Sequence, residues 1–504
     1  ICSVRMTPNF TEVLVASAME ENRNGILQTQ QSDIEKFLLD PRVQRVAGFL
    51  SRGNGGGRTL FERMMYSYDN PAAPRADRLL FYPLHTVFEH FLRARDANAD
   101  MVKFKLFHHR PTLRALVNTF RSIHEYGLTV PQKFHMPLMI VWNFTQACNL
   151  KCVHCYQDAC SRPLPDELDL EQKLKVVDEM GREYVPFLAL AGGEPLMGRN
   201  FWEVLERCRQ WGIHVTIASN GTVLTPDVTA RLVEHGVKYV EVSLDSVDPD
   251  KHDAFRGIPG AWRRTIDGIR TAAATPGLRV GLAACISRMN FEEADRLIQL
   301  AVDMGCSTFV HFNYIPVGRG VRNDIHDLDP GQREQLLQVL ERRLQRKEIS
   351  IMSTAPQFGR ACFMYADVEG RMALGHAGSG PGSKTRVLAK YIGGCGAARC
   401  YCSLQPNGDI TPCVYIPHRV VGNVTHQSIR EIWQTNAYFD KLTDRSNLGD
   451  HCGACDYRPV CGGCRARADA YTGDILAGDP GCILNQDLWD RLDARSPEDA
   501  SVER

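Results

Sequence analysis

With 504 residues, 44% of them apolar, the chain has material for about three domains, each able to bury a core. Lysine plus arginine and aspartate plus glutamate are equal at 59 each, with no long run of one sign, which argues against a nucleic-acid surface or a polybasic membrane patch. No apolar run approaches the ~18–20 residues that span a bilayer. The beginning, ICSVRMTPNFTEV, lacks the basic and apolar regions of a secretory signal, so a soluble cytoplasmic protein is expected.

Residues 1–135 read as a helical domain. TVFEHFLRARDANADMVKFKLF alternates apolar stripes with charge, and HHRPTLRALVNTFRSIHEYG has the pattern of an amphipathic helix ended by Gly127. The glycine-rich SRGNGGGR at 51–58 has neither the preceding strand nor the following Lys-Ser/Thr of a phosphate-binding loop, and reads as a surface loop.

From 136 to 320 the pattern alternates strand with helix. LMIVWNF, FLALAG, HVTIAS, KYVEVSL, RVGLAACIS and TFVHFN are short apolar runs rich in β-branched and aromatic residues. Between them, Phe201, Val204, Leu205 and Cys208 fall at i, i+3, i+4 and i+7, and Ala294, Leu297, Ile298 and Ala301 repeat that spacing before Gly305. Six such units predict an α/β core, a parallel sheet with helices outside, whose chemistry gathers at the carboxyl ends of the strands. Residues 321–390 hold the helix GQREQLLQVLERRLQRK and the loop-rich GHAGSGPGSKT, and read as a bridge to a cysteine-rich domain at 391–504.

Eighteen cysteines in such a chain point to metal or redox chemistry rather than disulfides. None lies between Cys2 and Cys148, whereas nine fall between Cys395 and Cys482. Directly after the first strand comes CNLKCVHC, with Cys148, Cys152 and Cys155. A structural zinc site closes with four ligands, usually as paired C-x2-C knuckles, and no fourth thiol has that spacing here. A cubane iron–sulfur cluster held by three thiolates leaves one iron open to a non-protein ligand.

C-x3-C-x2-C after the first strand of a (βα)6 unit resembles the radical S-adenosylmethionine (AdoMet) superfamily, whose fold is a partial TIM-like barrel. The second strand ends in Gly192-Gly193-Glu194-Pro195, similar to that family's methionine-binding turn. The third ends in SNGT, and the fourth in VSLDS followed by HDAFRG. The resemblance implies AdoMet and one 4Fe–4S cluster as cofactors. It assigns Ser243 and Arg256, together with Asn220 and Asp245, to the AdoMet ribose and carboxylate. It places His154 near the adenine. The glycines let backbone approach the cofactor closely.

The segment CSLQPNGDITPC, framed by Cys402 and Cys413, and HCGACDYRPVCGGC, with Cys452, Cys455, Cys461 and Cys464, resemble a SPASM extension that binds two auxiliary 4Fe–4S clusters. Mapped on it, one cluster takes Cys395, Cys402, Cys413 and Cys464, with Cys400 competing with Cys395 as first ligand. The other takes Cys452, Cys455, Cys461 and Cys482. The last short gap is C-x2-C where many members have C-x3-C. Cys208, Cys285 and Cys306 sit at core positions. Cys160 and Cys362 are left without a role, and Cys2 lies near the chain start.

Within the superfamily, HFNYIPVGRG and CGGCRARADAYTGDILAGDPGC look most like the branch of heme d1 and alternative heme synthesis. That likeness implies oxidation of tetrapyrrole side chains, with reduced ferredoxin or flavodoxin as electron donor. The helical residues 1–135 are not part of that branch, and keep a peptide or lipid substrate in contention. They are expected to bind such a substrate or to cover the barrel mouth. An electron-transfer scaffold explains the cysteines but not AGGEP and VSLDS. His311, Asn313 and Tyr314 are expected to face the mouth. Arg319 either pairs with a substrate carboxylate or shapes its glycine-flanked turn.

Overall fold

The six apolar runs become parallel strands: β1 Met139–Thr145, β2 Phe187–Gly192, β3 His214–Ser219, β4 Tyr239–Ser243, β5 Arg279–Ile286 and β6 Thr308–Asn313. The computed structural model describes residues 33–493 apart from 54–57, 69, 94–108, 323–326, 368 and 376–377. The segment read as a bridge supplies β7 Ser350–Ser353, paired parallel with β6, and a hairpin of β8 Arg371–Ala373 and β9 Ser379–Pro381. The cysteine-rich region adds β10 Tyr401–Leu404, parallel to β1, then β11 Asp409–Thr411 and β12 Gly422–Asn423 in antiparallel pairing. The sheet order is β12-β11-β10-β1-β2-β3-β4-β5-β6-β7, an open sheet whose two edges do not meet. Both termini of the barrel therefore come from regions the pattern had set apart from it.

Side chains alternate between the two faces of the sheet. Ile140, Trp142, Leu188, Leu190, Ile217, Val240, Val242, Leu282 and Ala284 share the principal core with the helices. The helix Phe201–Trp211 shows how: Phe201, Val204, Leu205 and Cys208 are its buried residues, and Gly212 ends it in the left-handed region. Burying each such apolar side chain contributes about 1.5–3 kcal/mol. The opposite, inner face carries Asn143, Ala189, Ala218, Glu241, Ser243, Ala283 and Cys285, as the parallel registers require. Most of these are short, and they leave room inside the barrel.

The N-terminal helices Pro41–Leu50, Leu60–Ser67, Arg75–Arg93 and Arg110–Tyr126 build a separate small core around Leu50, Phe61, Met64, Met65, Phe81 and Val117. Among the described residues they do not cover the mouth. Arg114 of the last helix donates to the carbonyls of Met180, Gly181 and Trp211, at the carboxyl ends of the helices before β2 and β3, and of Val185 in the turn before β2. Asn118 meets the backbone of Met136 just before β1. The layer thus docks at the amino ends of the strands, some 20 Å from their carboxyl ends at ~3.3 Å per residue. The centre of the 51–58 loop lies outside the described residues, as does Cys2. No helix among the described residues is long and apolar enough to cross a membrane.

Candidate active site and auxiliary cysteine sites

Cys148, Cys152 and Cys155 pack into one small cluster with Leu150, Ile258 and Ala261 at the carboxyl end of β1. Backbone holds the loop that carries them. Lys151 and Val153 donate to the carbonyls of Arg256 and Phe255, and Cys148 donates to Cys160. The N–H groups of Leu150 and Ala159 point at the sulfurs of Cys148 and Cys155, each 3.4 Å away. Burial pushes the Cys148 thiol up to about 12, and Glu194 and the other two thiols add to it. Gathered thiols of this kind repel one another as thiolates and call for a cationic iron core between them.

The strand ends converge beside this loop. Gly193 and Glu194 donate their N–H groups to the carbonyls of Thr145 and Ala147. A Cβ on Gly193 would lie 2.2 Å from the Ala147 carbonyl oxygen, so the turn demands glycine there. Glu194, fully buried, accepts from Ser219 Oγ at 3.0 Å and from the Asn220 N–H at 2.8 Å. Burial outweighs those bonds and lifts its carboxyl to about 7. A ligand ammonium would be its missing counter-charge. Asn220 also donates to Asn149. Arg256 pairs with Asp245 at 2.6 Å and points Nη1 at the Cys152 sulfur at 3.6 Å. Burial disfavours that guanidinium, but Asp245 and Cys152 outweigh it and raise Arg256 above its ordinary value. Its Nε remains buried without a hydrogen-bond partner. His154 stacks on Phe255 with centroids 4.0 Å apart, and burial first, then Arg256, keeps it neutral. Ammonium, carboxylate and aromatic groups all find complements here, and the residues fit AdoMet.

The C-terminal thiols fall into two groups. Cys452, Cys455, Cys461 and Cys482 act electrostatically on one another and face Arg360. Cys395, Cys413 and Cys464 form the second group around Tyr401, whose hydroxyl donates to the Cys413 sulfur at 2.8 Å. Cys400 lies within reach of Cys395, but Cys402 does not belong. Parallel pairing sets Cys402 beside Ile140, on the helix-facing side of the sheet, while Tyr401 and Met139 share the inner face. Burial alone pushes the Cys402 thiol up. Spacing named Cys402 as a ligand; the strand turns it away, and Cys400 is left as the fourth thiol.

Arg333, Arg360, Arg399, Arg445, Arg465 and Arg467 are all buried around these thiol groups. Asp327 pairs with Arg333 and Arg467, Glu334 with Arg360, and Asp479 faces Arg467, whereas Arg399, Arg445 and Arg465 donate to backbone carbonyls. Six guanidinium groups against the three carboxylates that pair with them leave a surplus of buried positive charge, which is costly without an anion. Cubanes ligated by four thiolates are anions.

Comparison with known proteins agrees with this geometry. The radical SAM superfamily pattern matches residues 142–301, and an iron–sulfur cluster-binding SPASM domain matches 395–464. The chain is 34% identical over 349 residues to an AdoMet-dependent heme synthase of Methanosarcina barkeri, covering 69% of this chain and 96% of that one. The chain belongs to the radical SAM superfamily. It is also 30% identical to the pre-heme d1 synthase of Dinoroseobacter shibae, over 69% of this chain and 86% of that one. The mycofactocin maturase MftC of Mycobacterium tuberculosis is again 30% identical, over 69% and 83%. The fold is similar to that of Streptococcus suis SuiB bound to S-adenosylmethionine, with TM-score 0.60 and 15% identity over 84% of this chain and 93% of SuiB.

Within this radical SAM site, two of the expected residues, His311 and Asn313, take other places. His311 and Asn313 are in register with Ala284 and Ile286 and face the helix layer, not the mouth. His311 is fully buried, with Ser353 Oγ 2.9 Å from Nδ1, and burial first, then Arg333 and Arg467, holds it down at about 3. Asn313 accepts from Arg333 and Arg467. Tyr314 is buried beside Phe255 and the inward-facing Cys285, and donates to Gly320. Arg319 is a clamp on the cysteine loop: its Nε donates to Cys152 and its Nη1 to Ala159 and Asp158. It fixes the loop.

Three inner-face residues escaped the sequence reading. Tyr156, next to Cys155, donates to Asn143 at 2.9 Å and packs at 5.0 Å against Tyr415, two residues after Cys413. Both tyrosines are half-buried, and desolvation first, then neighbouring thiols, pushes them up: Cys155 and Cys413 for Tyr156, Cys285 and Cys413 for Tyr415. They lie between the radical triad and the nearer auxiliary group. Glu241 shares the inner face with Ser243, and burial alone lifts it to about 7. Strand periodicity could have found it, because Glu241, Ser243 and Asp245 alternate. Cys285, assigned to the core, also faces inward. Cys208, Cys306 and Cys362 are buried, and Cys160 is exposed.

Proposed function

We propose that this enzyme oxidises a carboxylate-bearing side chain of a tetrapyrrole at the carboxyl ends of the barrel strands. The likeness to a heme synthase and a pre-heme d1 synthase carries this reading. Cys148, Cys152 and Cys155 would hold one 4Fe–4S cluster; Cys395, Cys400, Cys413 and Cys464 a second; Cys452, Cys455, Cys461 and Cys482 a third. When bound and reduced by ferredoxin or flavodoxin, the first cluster and AdoMet supply a 5′-deoxyadenosyl radical.

The protein's part is placement. Glu194 would receive the AdoMet ammonium, Arg256 its carboxylate, Ser243 and Asp245 the ribose, and Gly192, Gly193, Pro195 and Asn220 the surrounding turn. Removing a hydrogen atom and CO2 from a propionate leaves a vinyl group and one electron to discharge. Tyr156 and Tyr415 lie on the line from the barrel interior toward Cys413, which supports the second cluster as the acceptor.

A peptide substrate is the second reading, favoured by the 30% identity to a mycofactocin maturase. The deciding experiment measures 5′-deoxyadenosine release from the reconstituted protein with and without an iron porphyrin bearing propionates. Stimulated release with loss of CO2 and hydrogen from the porphyrin supports the first reading. Slow release that ignores the porphyrin rejects it and directs the search to peptides.

A further inference from the structure

One fully buried carboxylate touches both auxiliary groups. Asp479 accepts the backbone N–H of Cys464 on Oδ2 at 2.7 Å, and Gln357 Nε2 donates to the same oxygen. Oδ1 accepts from Gly481 at 3.0 Å and faces Arg467 Nη1 at 3.7 Å. The Asp479 N–H in turn points at the Cys452 sulfur, 3.3 Å away. Its carbonyl accepts from Asn485 Nδ2, which also reaches the Cys452 sulfur at 3.4 Å, and from the N–H of Cys482. A single residue thus bonds to Cys464 of one group and to Cys452 and Cys482 of the other. The approach is close: at Gly463, with φ +63°, a Cβ would fall 2.8 Å from the Asp479 Cβ and 2.9 Å from the Cys452 sulfur.

Arg467 does not cancel this charge. Its Nε is 3.1 Å from Asp327 and its Nη2 bonds to Asn313 and the Tyr314 carbonyl, so its guanidinium is shared. Negative charge beside a cluster favours the oxidised state and lowers its potential, and hydrogen bonds to its sulfurs raise it. In a buried, low-dielectric setting such a charge acts on every cluster in contact with it.

We propose that Asp479 is a positioning residue that sets the potentials of the two auxiliary clusters together. This rests on the reading that these thiol groups hold clusters. The carboxylate keeps both potentials low, with the stronger effect on the cluster of Cys464. Neutralising it raises both.

Asp479→Asn is the direct test, in the full chain with the radical triad replaced by alanine so that only auxiliary signals remain. Asparagine keeps the shape, and with its carbonyl oxygen in the Oδ2 position it still accepts from Cys464 and Gln357. The new NH2 takes the Oδ1 position, at the loss of the Gly481 bond. Redox titration followed by electron paramagnetic resonance should show unchanged iron content and both midpoints raised. The expected shift at the cluster of Cys464 is about tenfold in the reduction equilibrium, or about 59 mV for a one-electron couple. Unshifted midpoints, or a shift confined to one cluster, overturn the proposal.

Should Asp479→Asn lose iron, Gln357→Leu keeps the carboxylate and removes a donor to it. Both midpoints should then fall together, and an upward or single-cluster shift overturns the proposal. Failure of all eight thiols to bind iron in the otherwise unaltered protein defeats the cluster reading itself. Iron bound with potentials indifferent to Asp479 defeats only this inference.

Discussion

The two flanking regions attach to the same barrel by different physics. The C-terminal region enters the sheet: β10 pairs with β1, puts Tyr401 on the inner face and brings its thiols near Tyr156. The N-terminal helices stay outside, on their own small core, and hold on through side-chain bonds: Arg114 to helix-end carbonyls, Asn118 to Met136, Arg121 to Glu183 and Tyr184 to Glu62. The first mode builds a region into the chemistry, whereas the second leaves it mechanically separate from the mouth. What differs is backbone continuity with the sheet rather than the amount of contact.

The largest expected effect separates the radical site from the C-terminal region. Cys148→Ala leaves two thiols for a cluster that needs three, and AdoMet cleavage should fall to background. Auxiliary iron signals should persist, because none of their thiols borders the triad. Loss of all iron together would show that the barrel and the C-terminal region do not load separately.

Next in size is the contrast between neighbouring cysteines. Cys400→Ala should cost the protein one auxiliary cluster, read as lost iron and a lost resonance. Cys402→Ala should keep all the iron and cost only ~1–2 kcal/mol of stability from a small cavity. The reverse result would restore the ligand set that spacing alone suggested. The case shows what the sequence could reveal. A run of cysteines announces clusters, but adjacent strand positions face opposite sides, and only the register says which position faces which way. Cys400 lies just before β10; Tyr401 turns inward, so Cys402 faces the helices.

Other features divide in the same way. The parallel strands were legible because burial on both faces makes them continuous apolar runs. The triad and AGGEP were legible because their order along the strands repeats a known pattern. His311 and Asn313 misled because polar residues at a strand end suggest a site. Here Ser353 holds His311, and Arg333 with Arg467, the latter more than 150 residues downstream, holds Asn313 on the outer face. No local pattern encodes such a partner. Strand β7 hid in a four-residue run, and the docking of the N-terminal layer depends on Arg114 meeting two helix ends and the turn before β2.

Arg114→Met tests that docking. It removes four bonds from a buried guanidinium to carbonyls and should loosen the layer by ~3–5 kcal/mol. Hydrogen exchange should rise across residues 110–126 and the helices packed on them, with iron content and AdoMet cleavage unchanged. If cleavage falls in step with the loosening, the layer is coupled to the mouth after all, and the contrast between the two regions fails.

The smallest effect concerns the site between these regions. Glu194 keeps its proton up to about 7 in the folded protein because burial outweighs its hydrogen bonds and the charge of Arg256. As pH rises from the ordinary carboxylate range toward 7, the unfolded chain ionises first, so this residue withdraws stability, on the order of 3 kcal/mol in all. Binding the AdoMet ammonium reverses the preference and favours the carboxylate. AdoMet affinity should therefore rise with pH up to about 7, roughly tenfold per unit at the low end, and then level off. Calorimetry across that range should show proton release on binding below 7 and none well above it. Glu194→Gln should bind more weakly and flatten the profile. A profile that stays steep in the variant would assign the proton to another group, with Glu241, also lifted to about 7 on the inner face of β4, the next to replace.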